Sequence, residues 1–143
     1  MRVSQLSVFL ENKSGRLAEV TRTLADADVN IRALSIADTV DYGLLRLIVN
    51  NPEHAKSVLT DAGFTVALTE VLAIEIPDKP GGLAGIIDIF SDCGVNIEYM
   101  YAFVGTSGEN AIVIFRVENV DEAISSLQKK GVRILNGDEL HAL

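Results

Sequence analysis

The sequence predicts an α+β protein made of two tandem βαββαβ units, each an antiparallel sheet with its helices on one face. The main observation is a repeat: the segment 13–31 recurs at an offset of 66 residues as 79–97, with 8 of 19 positions identical. Further identities at an offset of 68 join Asn51 to Asn119 and Gly63 to Gly131. The third observation is that strand-like and helix-like apolar periodicity alternate in the same order in both halves. We therefore expect one domain at 1–69 and a second at 70–143.

The first half begins with an alternating strand and a polar turn that ends at Gly15. A helix follows, for which Ser14 is the expected cap. Pro52 is expected to open the second helix, where its missing N–H has no cost, and Gly63 to end it. The predicted elements are a strand at 3–10, a helix through Leu17 and Leu24, strands at 30–37 and 44–49, a hairpin loop at 38–43, a helix at 52–62 and a strand at 64–69.

The second half repeats this plan, with a loop at 105–110 that is two residues longer than its counterpart. The predicted elements are a strand at 71–76, a helix at 83–93, strands at 96–104 and 111–117, a helix at 120–130 and a strand at 132–135. A βαββαβ order is that of the ferredoxin-like fold, in which right-handed crossovers place both helices on one face. No Gly, Pro or Ser lies between 69 and 71, so a flexible linker is not expected there.

Composition and charge exclude several classes of partner. The net charge is −8, so the chain lacks the basic surface that nucleic acids and anionic membranes require. No apolar run reaches the ~18 residues that span a bilayer. A lone Cys93 fits a reducing compartment, and we expect a cytoplasmic protein. Hydrophobic residues make up 48% of the chain, an excess that a homodimer would help to bury.

No motif for catalysis or metal binding is present. His54 and His141 are isolated from each other and from any recognisable nucleophile, and Cys93 has the setting of a small buried apolar residue. The sequence has no C-x-x-C, H-E-x-x-H, G-x-S-x-G or P-loop signature. We therefore expect no enzyme activity, no metal and no cofactor. A small ferredoxin-like enzyme that uses an unrecognised carboxylate is the remaining catalytic alternative.

A polar turn that ends in glycine precedes the first helix in both halves. Gly15 and Gly81 occupy equivalent places in the sequences ENKSG and PDKPG. The unpaired N–H groups and the dipole at the start of a helix suit a carboxylate. Glycine would be needed there either for close approach of a ligand or because the turn requires a positive φ.

Asparagine recurs between the first helix and the second strand, as Asn30 and Asn96 in two Val-Asn-Ile sequences. Its amide could fix a polar ligand, or it could simply complete the turn. The turn before each helix carries Asn12 in one copy and Asp78 in the other. Asp78 could pair with an ammonium group and Asn12 with an ammonium or a carboxylate, although both could be ordinary turn residues.

These residues resemble the ACT domain, a small regulatory module that binds amino acids. The resemblance rests on DKPGGL followed by GVNI in the second copy, and on the corresponding residues of the first, where Ser14 replaces Pro and Asp28 replaces Gly. Each half of the chain shows this resemblance, which implies a pair of ACT domains with the ligand at an ACT–ACT interface. The resemblance implies that Asn12, Asn30, Asp78 and Asn96 contact the ligand. With the turns and helix starts, the predicted ligand-binding residues are Asn12, Ser14, Gly15, Asn30, Asp78, Gly81, Gly82, Leu83 and Asn96.

The function expected from this reasoning is a non-catalytic sensor that binds an amino acid and regulates a partner metabolic protein. The alternative is a ligand-free regulatory subunit that binds its partner through exposed sheet edges. One strand of the second copy carries Ile97, Tyr99, Tyr101 and Phe103 in alternation. We expect these side chains to share one face, either as packing residues or as a pocket wall.

Overall fold

The computed structural model describes residues 1–11, 13–38 and 42–143. Within these ranges the chain has a mixed α/β fold with seven strands and five helices. It divides into two compact units. Ser4–Thr69 is called the first unit, and Glu70–Leu143 together with Met1–Val3 is called the second unit.

The first unit contains two helices and an antiparallel sheet. Strand β3 lies between β1 and β2 and is antiparallel to both, and β1 also pairs with β4. The strand order is therefore β4–β1–β3–β2. The elements are β1 (Val3–Glu11), α1 (Arg16–Asp26), β2 (Ile31–Asp38), β3 (Tyr42–Val49), α2 (Pro52–Asp61) and the first part of β4 (Thr65–Pro77).

Both helices of the first unit pack against alternate residues of the same strands. The alternation of β1 and β3 and the 3.6-residue period of the helices select these side chains. The buried cluster consists of Leu6, Val8, Leu10, Val20, Leu24, Val29, Leu45, Leu47, Val49, Ala55 and Leu59. The start of α2 is as predicted, with Pro52 in the first turn and the Asn51 side chain accepting the His54 N–H.

The second unit begins in the middle of β4 and has the strand order β7–β4–β6–β5. Its core is formed in the same way, and Phe90 of the first helix packs on Phe115 with ring centroids 5.2 Å apart. Its further elements are α3 (Gly82–Asp92), β5 (Ile97–Ser107), β6 (Asn110–Val117), α4 (Val120–Lys129), β7 (Ile134–Leu135) and α5 (Gly137–His141).

Two sequence predictions of secondary structure are wrong, and one helix was not predicted. The two strands expected at 64–69 and 71–76 are one strand, β4, because the extended pattern continues through Glu70 without a turn residue. The loop expected at 105–110 is largely strand, since β5 continues to Ser107 with an irregular register after Ala102. The helix α5 was not predicted, although Asn136 and Glu139 form a capping box at its start.

Each of the described helices is too short, or too polar, to cross a membrane.

Candidate functional site

The turn from β4 into α3 folds back tightly on itself. The backbone N–H of Lys79 donates to the carbonyl oxygen of Pro77 at 2.9 Å, and that of Gly82 donates to the carbonyl oxygen of Lys79 at 3.0 Å. Gly81 precedes the helix with a φ of 84°, in the left-handed region. Glycine enters this region at no steric cost. The requirement for a positive φ is therefore confirmed as a reason for glycine here.

Gly82 is the residue at which this turn has no room for a side chain. A Cβ at Gly82 would lie 2.0 Å from the carbonyl oxygen of Pro77. The first residue of α3 thus lies directly against the end of β4. The N–H groups of this first turn carry the partial positive charge of a helix start, and no side chain projects from Gly81 or Gly82 to cover them.

The turn of the first unit has a similar but looser backbone, since the Arg16 N–H donates to the carbonyl oxygen of Lys13 at 3.4 Å. Gly15 has a φ of 89°, and the N–H of Lys13 donates to the carbonyl oxygen of Glu11 at 2.8 Å. The N-cap of α1 is Gly15, so the prediction that Ser14 caps this helix is wrong. The left-handed glycine separates Ser14 from the helix start. Asn12 lies outside the described residues.

A cavity of about 520 Å³, called the α3 cavity, opens beside the start of α3. Small-molecule sites commonly enclose roughly 300–1,000 Å³. Gly81 and Gly82 of the predicted site line this cavity together with Lys79. Asp78 and Leu83 are their neighbours in the chain, and both have exposed side chains.

The walls of the α3 cavity differ in polarity. One part is apolar and is formed by Pro77, Ile86, Ile89 and Val132. The other part carries Glu75, Asn110 and Arg133, and Gly85 and Gly131 complete the lining. Such a combination of apolar surface with a few polar groups is typical of a site for a small amphipathic molecule.

The polar side chains of this wall form a network. Asn110 donates from Nδ2 to Oε1 of Glu75 at 2.7 Å, and Arg133 donates from Nη1 to Oε2 of Glu75 at 3.1 Å. Nη2 of Arg133 donates to Glu139 at 2.8 Å. Hydrogen bonding to Arg133 lowers the pKa of Glu139 below 4.5, and the same bond raises the pKa of Arg133. Arg133 thus connects the wall of the α3 cavity to the capping box of α5.

The first unit has a smaller cavity at the equivalent position, of about 270 Å³. The register of the strands establishes the equivalence, because Glu11 pairs with Tyr42 as Pro77 pairs with Asn110. Aromatic rings replace the polar network, with Phe9 and Tyr42 at a centroid distance of 5.6 Å. Arg16 lines this cavity, whereas Gly82 occupies the matching position in the second unit.

Charged side chains surround the turn of the first unit. Nζ of Lys13 lies 2.8 Å from Glu11, and Arg16 lies 3.5 Å from Glu11 and 3.1 Å from Glu19. The hydrogen bond from Lys13, with the charges of Lys13 and Arg16, holds the pKa of Glu11 below its ordinary value. This turn therefore neutralises its own cations.

Asn30 and Asn96 lie at the far end of their units from these turns. Pro77 pairs with Asn110 at one end of the β4–β6–β5 sheet, whereas Ile97 pairs with Val117 at the other. Seven residues of strand β6 separate the two ends, which corresponds to about 23 Å. The Asn96 side chain donates to Glu118 at 3.3 Å, and the Asn30 N–H donates to the Asn50 side chain at 3.0 Å. Within each unit, the asparagine and the glycine turn are therefore too far apart to contact one small ligand.

The aromatic strand does not present a single face. Ile97 pairs with Val117, but Tyr99 pairs with Arg116, so the strand bulges between them. The bulge turns Ile97 towards the core cluster of the second unit, while Tyr99 and Tyr101 lie on the opposite face of β5. The expectation of one shared face is therefore wrong for Ile97.

Sequence reasoning missed the polar wall of the α3 cavity. Glu75 interrupts the apolar run at 71–76, which is a signal of a special position. Asn110 and Arg133 correspond to Tyr42 and Thr65 of the first unit at the offset of 68. Comparison of the two copies position by position, rather than of their identities alone, would have marked these residues.

The remaining candidates for chemistry are isolated. Among the described residues, no group of three or more His, Cys, Asp or Glu side chains is placed to hold a metal ion. Cys93 is half-buried and donates from Sγ to the carbonyl oxygen of Phe90 at 3.4 Å.

The strand orders and the two equivalent cavities define a mixed α/β protein of two related units. The chain matches the ACT domain pair family over residues 1–143 and belongs to it. The resemblance seen in the sequence is thus confirmed, and the family is one of regulatory domains that bind amino acids.

Solved structures agree with this assignment. Protein BT0572 from Bacteroides thetaiotaomicron is 44% identical, with a TM-score of 0.94 over 100% of this chain and 98% of its own. The regulatory subunit of aspartate kinase from Thermus thermophilus, in its ligand-free form, shares the fold at 16% identity, with a TM-score of 0.63 over 88% of this chain and 91% of its own. The corresponding subunit from Thermus flavus has 17% identity, a TM-score of 0.59, and coverage of 88% and 90%. No curated protein matches the chain.

Proposed function

We propose that this protein is a non-catalytic, cytoplasmic sensor that binds an amino acid and regulates a partner metabolic protein. Two tandem βαββαβ domains, divided near residue 69, would form the module, and two copies of the chain would associate as a homodimer. The observation that carries the proposal is the α3 cavity, where an uncovered helix start and a charged wall meet in a member of a regulatory family. A relative of the same fold is a regulatory subunit of aspartate kinase.

The α3 cavity supplies both kinds of group that an amino acid needs. The helix start, with Gly81 and Gly82, suits the ligand carboxylate. Glu75 already accepts one hydrogen bond from Asn110 and one from Arg133, and the remaining lone pairs of its carboxylate suit the ammonium group. Asp78 of the adjacent turn is a second candidate for that role. Of the other predicted ligand residues, Leu83 belongs to this helix start, while Ser14, Gly15, Asn30 and Asn96 stay predictions, as does Asn12.

A thermal-shift screen of the full chain against the twenty amino acids and their 2-oxo acids tests the proposal. A ligand at 100 times its dissociation constant should stabilise the folded state by about 2.7 kcal/mol and raise Tm by several degrees. We expect a selective shift for a few amino acids, and a reduced shift in Asp78→Ala. A flat panel would contradict the proposal. It would favour a ligand-free subunit, for which exposed side chains such as Leu34 and Ile36, each 43% exposed, offer a protein-binding surface.

A further inference from the structure

The two units differ in the charges around one conserved lysine. Lys13 of the first unit and Lys79 of the second occupy the same place in the turn. Lys13 pairs with Glu11 at 2.8 Å. The position of Glu11 is taken by Pro77 in the second unit, and within the described part of the chain Lys79 makes no ion pair. Lys79 is therefore a cation at the edge of the α3 cavity that, unlike Lys13, is not held by a carboxylate in an ion pair of the described residues.

The helix start is blocked in the first unit and open in the second. Arg16 lines the smaller cavity and is held there by Glu11 at 3.5 Å and Glu19 at 3.1 Å. The equivalents of Arg16 and Glu19 are Gly82 and Gly85, which line the α3 cavity without side chains. The loss of these side chains agrees with the larger volume, about 520 Å³ against about 270 Å³.

The apolar wall indicates what side chain the ligand carries. Ile86, Ile89 and Val132 line the α3 cavity, and both isoleucines belong to the helix whose start would hold the ligand carboxylate. In the first unit Thr23 stands at the position of Ile89. An aliphatic side chain would bury apolar area against this wall, whereas a charged one would lose its hydration there.

We propose, on the basis of the function proposed above, that each chain binds one amino acid with an aliphatic side chain, in the α3 cavity. Lys79 and the start of α3 hold its carboxylate, Glu75 faces its ammonium group, and Ile86, Ile89 and Val132 contact its side chain. The cavity of the first unit stays empty because Arg16 lies over its helix start and Glu11 engages Lys13, so that neither cation is open to a ligand carboxylate.

Isothermal titration calorimetry of the full chain with L-isoleucine, L-valine, L-alanine, L-aspartate and L-lysine tests this inference. We expect one binding event per chain and an affinity for L-isoleucine at least about tenfold above that for L-alanine, since a methylene in an apolar pocket gives a factor of that order. Lys79→Gln should weaken L-isoleucine binding about tenfold or more, because it removes a charge-assisted contact and leaves the fold intact. The matched control, Lys13→Gln, should bind L-isoleucine like the wild type.

The outcomes separate the two proposals. If no amino acid gives a binding isotherm, the proposed function itself fails. If an amino acid binds with two sites per chain, with equal sensitivity to Lys13→Gln and Lys79→Gln, the sensor function stands and the assignment to the α3 cavity is wrong. Preferential binding of L-aspartate or L-lysine would likewise leave the function standing and overturn the aliphatic ligand class. The circular-dichroism melting curve of each variant checks that a lost isotherm is not a lost fold.

Discussion

The turns before α1 and α3 have similar backbones and differ in almost every charge. Gly15 and Gly81 have φ angles of 89° and 84°, so both turns place a left-handed residue before the helix. The second turn is the tighter one, with a hydrogen bond from Gly82 to Lys79 of 3.0 Å against 3.4 Å from Arg16 to Lys13. The first unit sets Lys13 and Arg16 against Glu11 and Glu19, whereas at these four positions the second unit keeps only the charge of Lys79. The difference shows that similar turns in the two units carry different side-chain chemistry. A turn that is repeated in both units is therefore no evidence that the two units have the same function.

The largest difference between the two units in the free energy of unfolding is expected for substitutions at the first residues of α1 and α3. Gly82→Ala places a Cβ 2.0 Å from the carbonyl oxygen of Pro77. We expect a net loss of about 2 kcal/mol or more, since overpacking exceeds the ~1 kcal/mol that alanine gains in a helix. Arg16→Ala, the matched change in the first unit, should cost about 0.5 kcal/mol, because it breaks only exposed ion pairs. Urea denaturation measures both, and similar losses would show that the two helix starts are not packed differently.

A smaller difference in the free energy of unfolding is expected for substitutions just after the ends of α1 and α3. Gly94 has a φ of 73°, and its counterpart Asp28 has a φ of 59°. Gly94→Ala should cost about 1 kcal/mol, because alanine is strained in the left-handed region. Asp28→Gly should change the free energy of unfolding by no more than about 0.5 kcal/mol, since aspartate tolerates this region and glycine adds chain entropy to the unfolded state. A stabilisation by Asp28→Gly as large as the loss in Gly94→Ala would mean that Asp28 is equally strained.

The smallest effect is the dependence of stability on pH at Glu11. Its pKa is lowered from 4.5 in the folded protein by Lys13 and then Arg16. A lowered folded-state pKa stabilises the fold above the unfolded-state pKa, and this contribution is lost as the pH falls through the folded value. Urea midpoints between about pH 7 and pH 3 should therefore fall slightly less for Glu11→Gln than for the wild type. In the second unit the same behaviour should follow Glu139→Gln, since Arg133 lowers the pKa of Glu139. Parallel curves for wild type and both variants would contradict these assignments.

The sequence predicted the repeated elements well where local rules decide. Single residues and short periods predict three such features. These are the helix start at Pro52, the positive φ of Gly15 and Gly81, and the apolar face of α1 with Val20 and Leu24. These features depend on the backbone within a few residues. They could therefore be predicted without knowledge of the tertiary structure.

The candidate site depended on contacts between distant segments, and the sequence predicted it only in part. Glu75, Asn110 and Arg133 come together because β4 pairs with both β6 and β7. No local pattern contains that pairing. The bulge that separates Ile97 from Tyr99 is also a property of the strand pair rather than of β5 alone. The continuity of β4 through Glu70 was missed because an exposed charge there resembles the end of a strand.

The close contact between Gly82 and Pro77 makes the two helix starts unequally tolerant of substitution. Arginine at position 16 can be exchanged for a smaller residue by a single mutation that the backbone tolerates. The reverse step at position 82 would drive any side chain into a carbonyl group and would need a simultaneous shift of the end of β4. The helix start of the second unit therefore cannot take the charged form of the first without that shift. One interatomic distance thus keeps the surface at the start of α3 different from the surface at the start of α1.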